Sequence, residues 1–272
     1  MTQDPVFDRA WTHITAQKDG HIATISLNRP EAKNALNDLH MRELIEVAQA
    51  LRLRHDIRAV ILTGGPDGFS AGADLNVAKT RVATPPTLIE LRAVYSIGPD
   101  LCKAWEEIEA VTIVAIEGFC IGGGCALAVS CDFRIMAEGA YMRLPEIPLG
   151  MNMSWRSIPR IANLVGPARA KQFVMFGEPA DAQTCLTWGM AEEVTPKGGA
   201  MAAAQRWAQK VVALPPIPVR MTKEAVNATV NANNLATSVM DRDQYLLMAR
   251  SNDYKEGVSA YLQKRTPDFK GD

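Results

Sequence analysis

The stretch VAIEGFCIGGGCALAVSCD, residues 114–132, decides how the rest of the chain is read. It opens with Val114 and Ile116, β-branched residues in an apolar run, as a buried strand requires, and it breaks at Gly118. Three consecutive glycines follow, Gly122, Gly123 and Gly124, and then CALAVSC, 125–131, an apolar segment able to coil as a buried helix. Glycines at a strand-to-helix junction let the backbone turn sharply and leave N–H groups free at the helix start. Those amides, with the positive end of the helix dipole, can hold a developing oxyanion without any charged side chain. The same glycines would also serve plain tight packing of strand on helix.

On either side the chain alternates between strand and helix patterns. HIATISLN, 21–28, alternates apolar with polar residues and ends at Arg29-Pro30, which predicts a strand closed by a turn. Residues 34–52 carry Leu39, Met41, Leu44, Ile45, Ala48 and Leu51 at helical spacing. AVILT, 59–63, stopped by Gly64-Gly65-Pro66, reads as a fully buried strand, 87–108 as one helix, and 111–116 as a third strand. Short apolar strands separated by helices imply βαβ units and a mostly parallel sheet covered on both faces. From Met201 onward only amphipathic helical patterns occur (201–212, 219–232, 235–248 and 255–264). The expected organisation is therefore a core over 1–200 and a helical region over 201–272.

Composition narrows the class of function. With 272 residues, 47% of them hydrophobic, the chain can bury a large core. Its 29 basic and 30 acidic residues are balanced, and no basic tract is interleaved with aromatics, so nucleic acid is not an expected partner. MTQDPVFDRAW at the start bears early acids, against a signal peptide. The longest uncharged apolar stretch, 118–131, falls short of the roughly 20 residues of a membrane span. Five cysteines without a CxxC pair read as reduced thiols of a cytoplasmic protein. The four histidines, His13, His21, His40 and His55, lack metal-ligand spacing, so no metal is expected.

Two further segments carry candidate chemistry. In FSAGADL, 69–75, Gly72 frees the backbone after a buried strand, so the Ala73 amide can face a cleft at the strand's C-terminal edge. A plain surface turn with Asp74 as a helix cap is the alternative reading. In LPEIP, 144–148, Glu146 stands among Leu, Ile and Pro, an apolar setting that disfavours the ionised carboxylate and suits proton transfer near neutral pH.

FSAGADL, EGFCIGGGCALAVSCD, LPEIPLG and the C-terminal KEGVSAYLQKRTPDF resemble, in order and approximate spacing, the crotonase (enoyl-CoA hydratase/isomerase) superfamily, over about 6–269. The resemblance implies an α/β, crotonase-like (ClpP/crotonase) fold of repeated ββα units with a C-terminal helical region that joins subunits into a homotrimer or a dimer of trimers. It implies a coenzyme A thioester as substrate, with no other cofactor. The positions matching the family's oxyanion hole are Ala73 and Gly123, and the matching catalytic glutamate is Glu146. Lys33, Ala35, Ala71, Asp74 and Leu75 match positions lining the CoA and acyl site, as do Gly122, Ala126 and Pro145 around the two catalytic motifs. Tyr261 and Lys264 match a C-terminal pair that approaches the CoA nucleotide, commonly from a neighbouring subunit.

Departures from the family pattern shape the expected reaction. Hydratases of this family place a second glutamate just after the glycine triplet, where this chain has Ala126. A single carboxylate suffices to move a proton between carbons of an enolate system, as the family's isomerases do, whereas hydration divides its work between two. After Glu146, GMNMSWR, 150–156, replaces small, glycine-rich residues. Trp155 or Met153 would wall off a flat or cyclic acyl group, and Ser154 would position water or substrate. The resulting expectation is a hydratase or isomerase with one catalytic glutamate. The alternatives are an acyl-CoA-binding member that has lost catalysis, or a hydratase-lyase or hydrolase acting on an aromatic or cyclic acyl-CoA.

Overall fold

The structure, a computed structural model, describes residues 4–74 and 86–272. Nine strands are described: β1 (Ile14–Asp19), β2 (Ile22–Leu27), β3 (Ala59–Thr63), β4 (Val111–Ile116), β5 (Phe119–Ile121), β6 (Phe133–Ala137), β7 (Tyr141–Arg143), β8 (Ala180–Asp181) and β9 (Glu193–Thr195). Six form the main sheet in the order β1-β2-β3-β4-β6-β9, parallel except for the β1–β2 hairpin, and β5-β7-β8 form a smaller one. Every residue of β3 and β4 is buried, which explains their unbroken apolar runs.

The repeat follows from where the chain turns after each main-sheet strand. After β4 it turns at Gly118 (φ +56) into β5, and after β6 at Gly139 (φ +80) into β7, while the segment after β3 reaches the second sheet as the Ser70↔Cys120 bridge. The expected ββα architecture is thus present, but the strands of its second layer are three residues or fewer and too short to show a period in sequence. Instead of leading straight from β4 into a helix, the glycine junction passes through β5 first. β1 was also not anticipated, since most of it is exposed at the sheet edge and carries little apolar pattern.

The helices are α1 (Asp38–Arg52), α2 (Leu88–Val94), α3 (Ile97–Glu106), α4 (Gly123–Ala128), α5 (Ser157–Val165), α6 (Pro167–Phe176), α7 (Ala182–Trp188), α8 (Ala200–Val212), α9 (Pro216–Val230), α10 (Asn234–Ser238), α11 (Asp241–Met248) and α12 (Asn252–Gln263). The single helix expected over 87–108 is two. Pro99 lacks an amide, and its ring would strike the carbonyl four residues back, so no helix continues through Tyr95 and Ser96. The one expected over 235–248 is likewise divided into α10 and α11. On one face of the sheet lies the main core, with α1, α3 and α4. On the other, Ala200, Ala203, Ala204 and Ala208 of α8 pack against Ile22, Ile61, Ile113 and Ile135. Glu117 fastens α8 there, its carboxylate accepting from the amides of Gly198 and Ala200, both at 3.1 Å.

All five cysteines are buried free thiols, and burial pushes Cys102, Cys131 and Cys185 up to about 12. Among the described residues no helix is long and apolar enough to cross a membrane, and no cluster of His, Cys, Asp and Glu could hold a metal ion.

His40, fully buried in α1 with no partner for Nε2 among the described residues, resists protonation; burial lowers its pKa to about 4, against a weaker upward pull from the Ala35 carbonyl. The unfolded chain takes up this proton near 6.5, so the neutral imidazole supports the fold above that pH and the support fades as pH falls toward 4. Acidification to pH 5 is expected to remove about 2 kcal/mol through this residue. Urea unfolding at pH 7.5 and pH 5 measures it; a His40→Asn variant that loses as much stability as the unchanged chain would refute the attribution.

Candidate active site

Two loops are stitched together at the C-terminal ends of β3 and β4. Phe69 N donates to Phe119 O (2.8 Å) and Ile121 N to Ser70 O (2.9 Å), while Leu36 N donates to Gly72 O (2.8 Å) and Asp74 N to Leu36 O (3.1 Å). Ala71 N donates to Lys33 O (3.0 Å) and Gly72 N to Ser70 Oγ (3.1 Å). Leu36 therefore engages the residues on either side of Ala73, and the Ala73 amide, alternating with them, faces the other way. It has no acceptor among the described residues.

The glycine junction leaves a second amide in the same condition. Gly122 N donates to Arg143 O (2.9 Å), but Gly123 N, at the first position of α4, has no acceptor among the described residues. α4 has only six residues, so these amides matter more than its dipole. Gly72 makes the approach possible: a Cβ there would lie 2.7 Å from Ile121 O and 3.2 Å from Gly123 N. Ala73 and Gly123 consequently line one cleft of about 230 Å³.

Glu146 enters this cleft from the loop after β7. Residues Ile147–Leu149 make a 3-10 turn closed by Gly150 (φ +72), and Met151 N then donates to Glu146 O (2.8 Å). The carboxylate lies against the junction, since a Cβ on Gly122 would be 2.7 Å from Oε1. Its Oε2 is buried with no hydrogen-bond partner among the described residues. Burial raises the carboxyl to about 7, opposed weakly by its own backbone amide and by Arg143, whose Nε is engaged by Gly177 O at 2.7 Å. A carboxyl group that exchanges its proton near neutrality thus stands beside two unengaged amides.

Most of the residues expected from sequence come together here: Ala71, Ala73, Asp74, Gly122, Gly123, Pro145, Glu146, Ser154 and Trp155 all line the cleft. Asp74 is held by Arg29 at 2.7 Å, and the helix it was expected to cap as an alternative falls outside the described residues. Lys33 and Ala35 do not line the cleft: Lys33 O accepts from Ala71 N of the loop at 3.0 Å, and Ala35 O accepts from Arg29 Nη1 at 2.9 Å. Ala126 is fully buried in α4 and does not line the cleft. Tyr261 is 60% exposed, and neither it nor Lys264, which caps α12, reaches this cleft in the single chain. Leu75 lies outside the described residues.

Trp155 is wedged against the junction. Cβ atoms on Gly98 and Gly123 would fall 2.2 Å and 2.6 Å from its indole, so only glycines can flank it. Trp155 and Arg156 both have positive φ (+59 and +56), a strained pair that Asp241 holds by accepting from Arg156 N at 2.7 Å. Sequence reading missed Asn152, Tyr245 and Tyr254, which also line the cleft. The tyrosines come from α11 and α12, about a hundred residues downstream, and no local motif marks them.

Known proteins share this arrangement of elements. The family model described as enoyl-CoA hydratase/isomerase matches residues 17–272. A 2,3-dehydroadipyl-CoA hydratase of Escherichia coli is 32% identical, with 96% of this chain and 99% of the relative covered. A short-chain-enoyl-CoA hydratase of Clostridium acetobutylicum is 30% identical, covering 93% and 95%. The crystal structure of an enoyl-CoA hydratase from Mycobacterium avium subsp. paratuberculosis superposes with a TM-score of 0.85 over 96% of this chain and 100% of its own; at 21% identity it speaks to the fold.

Proposed function

The chain belongs to the enoyl-CoA hydratase/isomerase family, and from that premise we propose that it catalyses hydration or double-bond migration of an acyl-CoA thioester through an enolate, with Glu146 as its single catalytic carboxylate. The convergence of three groups without partners among the described residues, the amides of Ala73 and Gly123 and the Oε2 of Glu146, supports this reading. The thioester oxygen accepts from both amides. Charge pushed onto it in the enolate then meets fixed donors in a largely apolar cleft, where they are worth more than in water. In hydration ionised Glu146 takes a proton from water and gives it to the α-carbon; in double-bond migration it takes a proton from one carbon of the enolate system and returns it to another, so no net charge is left on the protein.

The CoA portion arrives as part of the substrate, and no further cofactor enters the scheme. Exposed apolar residues on the C-terminal helices, among them Ile217, Met221, Leu235 and Leu247, support a homotrimer or dimer of trimers. In such an assembly Tyr261 and Lys264 would serve a neighbour's CoA nucleotide. The buried, free thiols fit a cytoplasmic setting.

A panel of straight-chain 2-enoyl, 3-enoyl, branched and aromatic CoA thioesters incubated in deuterated water tests the proposal. Deuterium is expected at the α-carbon of at least one of them. Thioesters that bind but gain no deuterium and form no product would instead identify a binding protein that has lost catalysis.

A further inference from the structure

If an enolate forms beside Glu146, hydration still needs a second group to hold the attacking water, and position 126 cannot supply one. A water molecule whose two hydrogens are both accepted keeps a lone pair free for attack; with one acceptor it remains free to rotate. In an apolar cleft an ordered water needs at least two polar partners. The side chain of Ala126 is fully buried away from the cleft and carries no polar atom.

One other side chain of the cleft resembles Glu146 in its surroundings. Asn152 lines the same space, and its Oδ1 is buried with no hydrogen-bond partner among the described residues. A stranded amide oxygen carries a desolvation cost that a bound donor recovers. The backbone brings the two residues together, because the 3-10 turn folds back so that Met151 N reaches Glu146 O at 2.8 Å, and Asn152 is the next residue. Ser154 lines the cleft too, but its hydroxyl is not among the buried polar atoms left without a partner, and as a donor it has choices that a carbonyl oxygen lacks.

Resting on the enolate reading above, we propose that Asn152 Oδ1 is the second acceptor for the reacting water, replacing the carboxylate that this chain lacks at position 126. The water gives one hydrogen bond to Glu146 and the other to Asn152. Its oxygen forms the bond to the β-carbon, and the double-bond electrons pass to the α-carbon and thioester oxygen at Ala73 and Gly123. The proton leaving the water goes to Glu146, which then protonates the α-carbon. Water is added across the double bond, and Asn152 neither gains nor loses a proton.

The test separates hydration from α-proton exchange, which uses Glu146 and the amides but no attacking water. In Asn152→Leu, hydration of a 2-enoyl-CoA is expected to fall by about tenfold to a hundredfold, while deuterium exchange into a saturated acyl-CoA stays within about twofold. Asn152→Asp restores an acceptor, so hydration is expected to return. The added carboxylate disfavours ionisation of its neighbour, and the rising limb of the pH profile moves to higher pH. Unchanged hydration in Asn152→Leu overturns the proposal, as does equal loss of hydration and exchange that Asn152→Asp fails to repair. Loss of hydration in Ser154→Ala with none in Asn152→Leu assigns the water to Ser154 instead. Exchange without hydration in the unchanged protein overturns the role of Asn152 but leaves the enolate standing, and absence of both overturns the enolate reading first.

Discussion

Glu146→Gln is expected to lower turnover by about 10²–10⁴-fold, the range for removing a positioned general base. The amide matches the carboxylate in size, so the contact with Gly122 and the apolar lining survive and acyl-CoA binding should change little. Only the ability to take and return a proton is lost. Turnover in the unchanged protein should rise as pH passes about 7, because burial keeps the carboxyl protonated below that value. The same burial makes a second, independent prediction. A carboxyl whose folded pKa is raised supports the fold below its unfolded value, near 4.5, and that support is lost as pH rises through about 7. Glu146→Gln should therefore be more stable than the unchanged chain at pH 8, by up to about 3 kcal/mol, and should match it near pH 4.5. A variant that is inactive but less stable at pH 8 would place Glu146 in a structural role; one with full turnover would remove it from the chemistry.

Gly122→Ala is the second large effect, and it acts on geometry instead of proton transfer. Gly122 has φ +53 and ψ −121, and a Cβ would sit 2.7 Å from Glu146 Oε1. The side chain of Glu146 must move, and displacing a catalytic group by about 1 Å can cost on the order of a hundredfold in rate. Backbone strain adds about 1–3 kcal/mol of instability. Gly139→Ala separates the two contributions, since Gly139 also has positive φ (+80) but nothing within 4 Å of its Cβ position. That variant should lose stability and keep its activity. Equal rates for Gly122→Ala and Gly139→Ala would show that Glu146 does not depend on the glycine beside it.

The parts legible in sequence were those where local pattern and final environment agree. AVILT and VTIVAI are apolar throughout because both faces of β3 and β4 are covered, and α1 carries its stripe because one face packs on the core. The loop 69–75, the glycine junction and the glutamate of LPEIP were recognisable because close backbone approach and an apolar carboxyl setting leave few choices of residue. The second layer escaped notice because strands of two or three residues show no period, and the break at Pro99 was hidden by apolar spacing that continues across it.

By itself, then, the sequence determined β2, β3 and β4 and most of the helical segments, the glycines and Glu146 as candidate reactive elements, and the lack of a carboxylate at position 126. Only the tertiary structure decided that the Ala73 and Gly123 amides share one cleft, that Trp155 is wedged between Gly98 and Gly123, and that Asn152 and two distant tyrosines border the same space. The reason is physical. Whether an amide keeps a free N–H, or a carboxyl loses its water, depends on neighbours brought in by strand pairing and packing from far along the chain, as when Leu36 engages both sides of Ala73 and leaves its amide without an acceptor among the described residues.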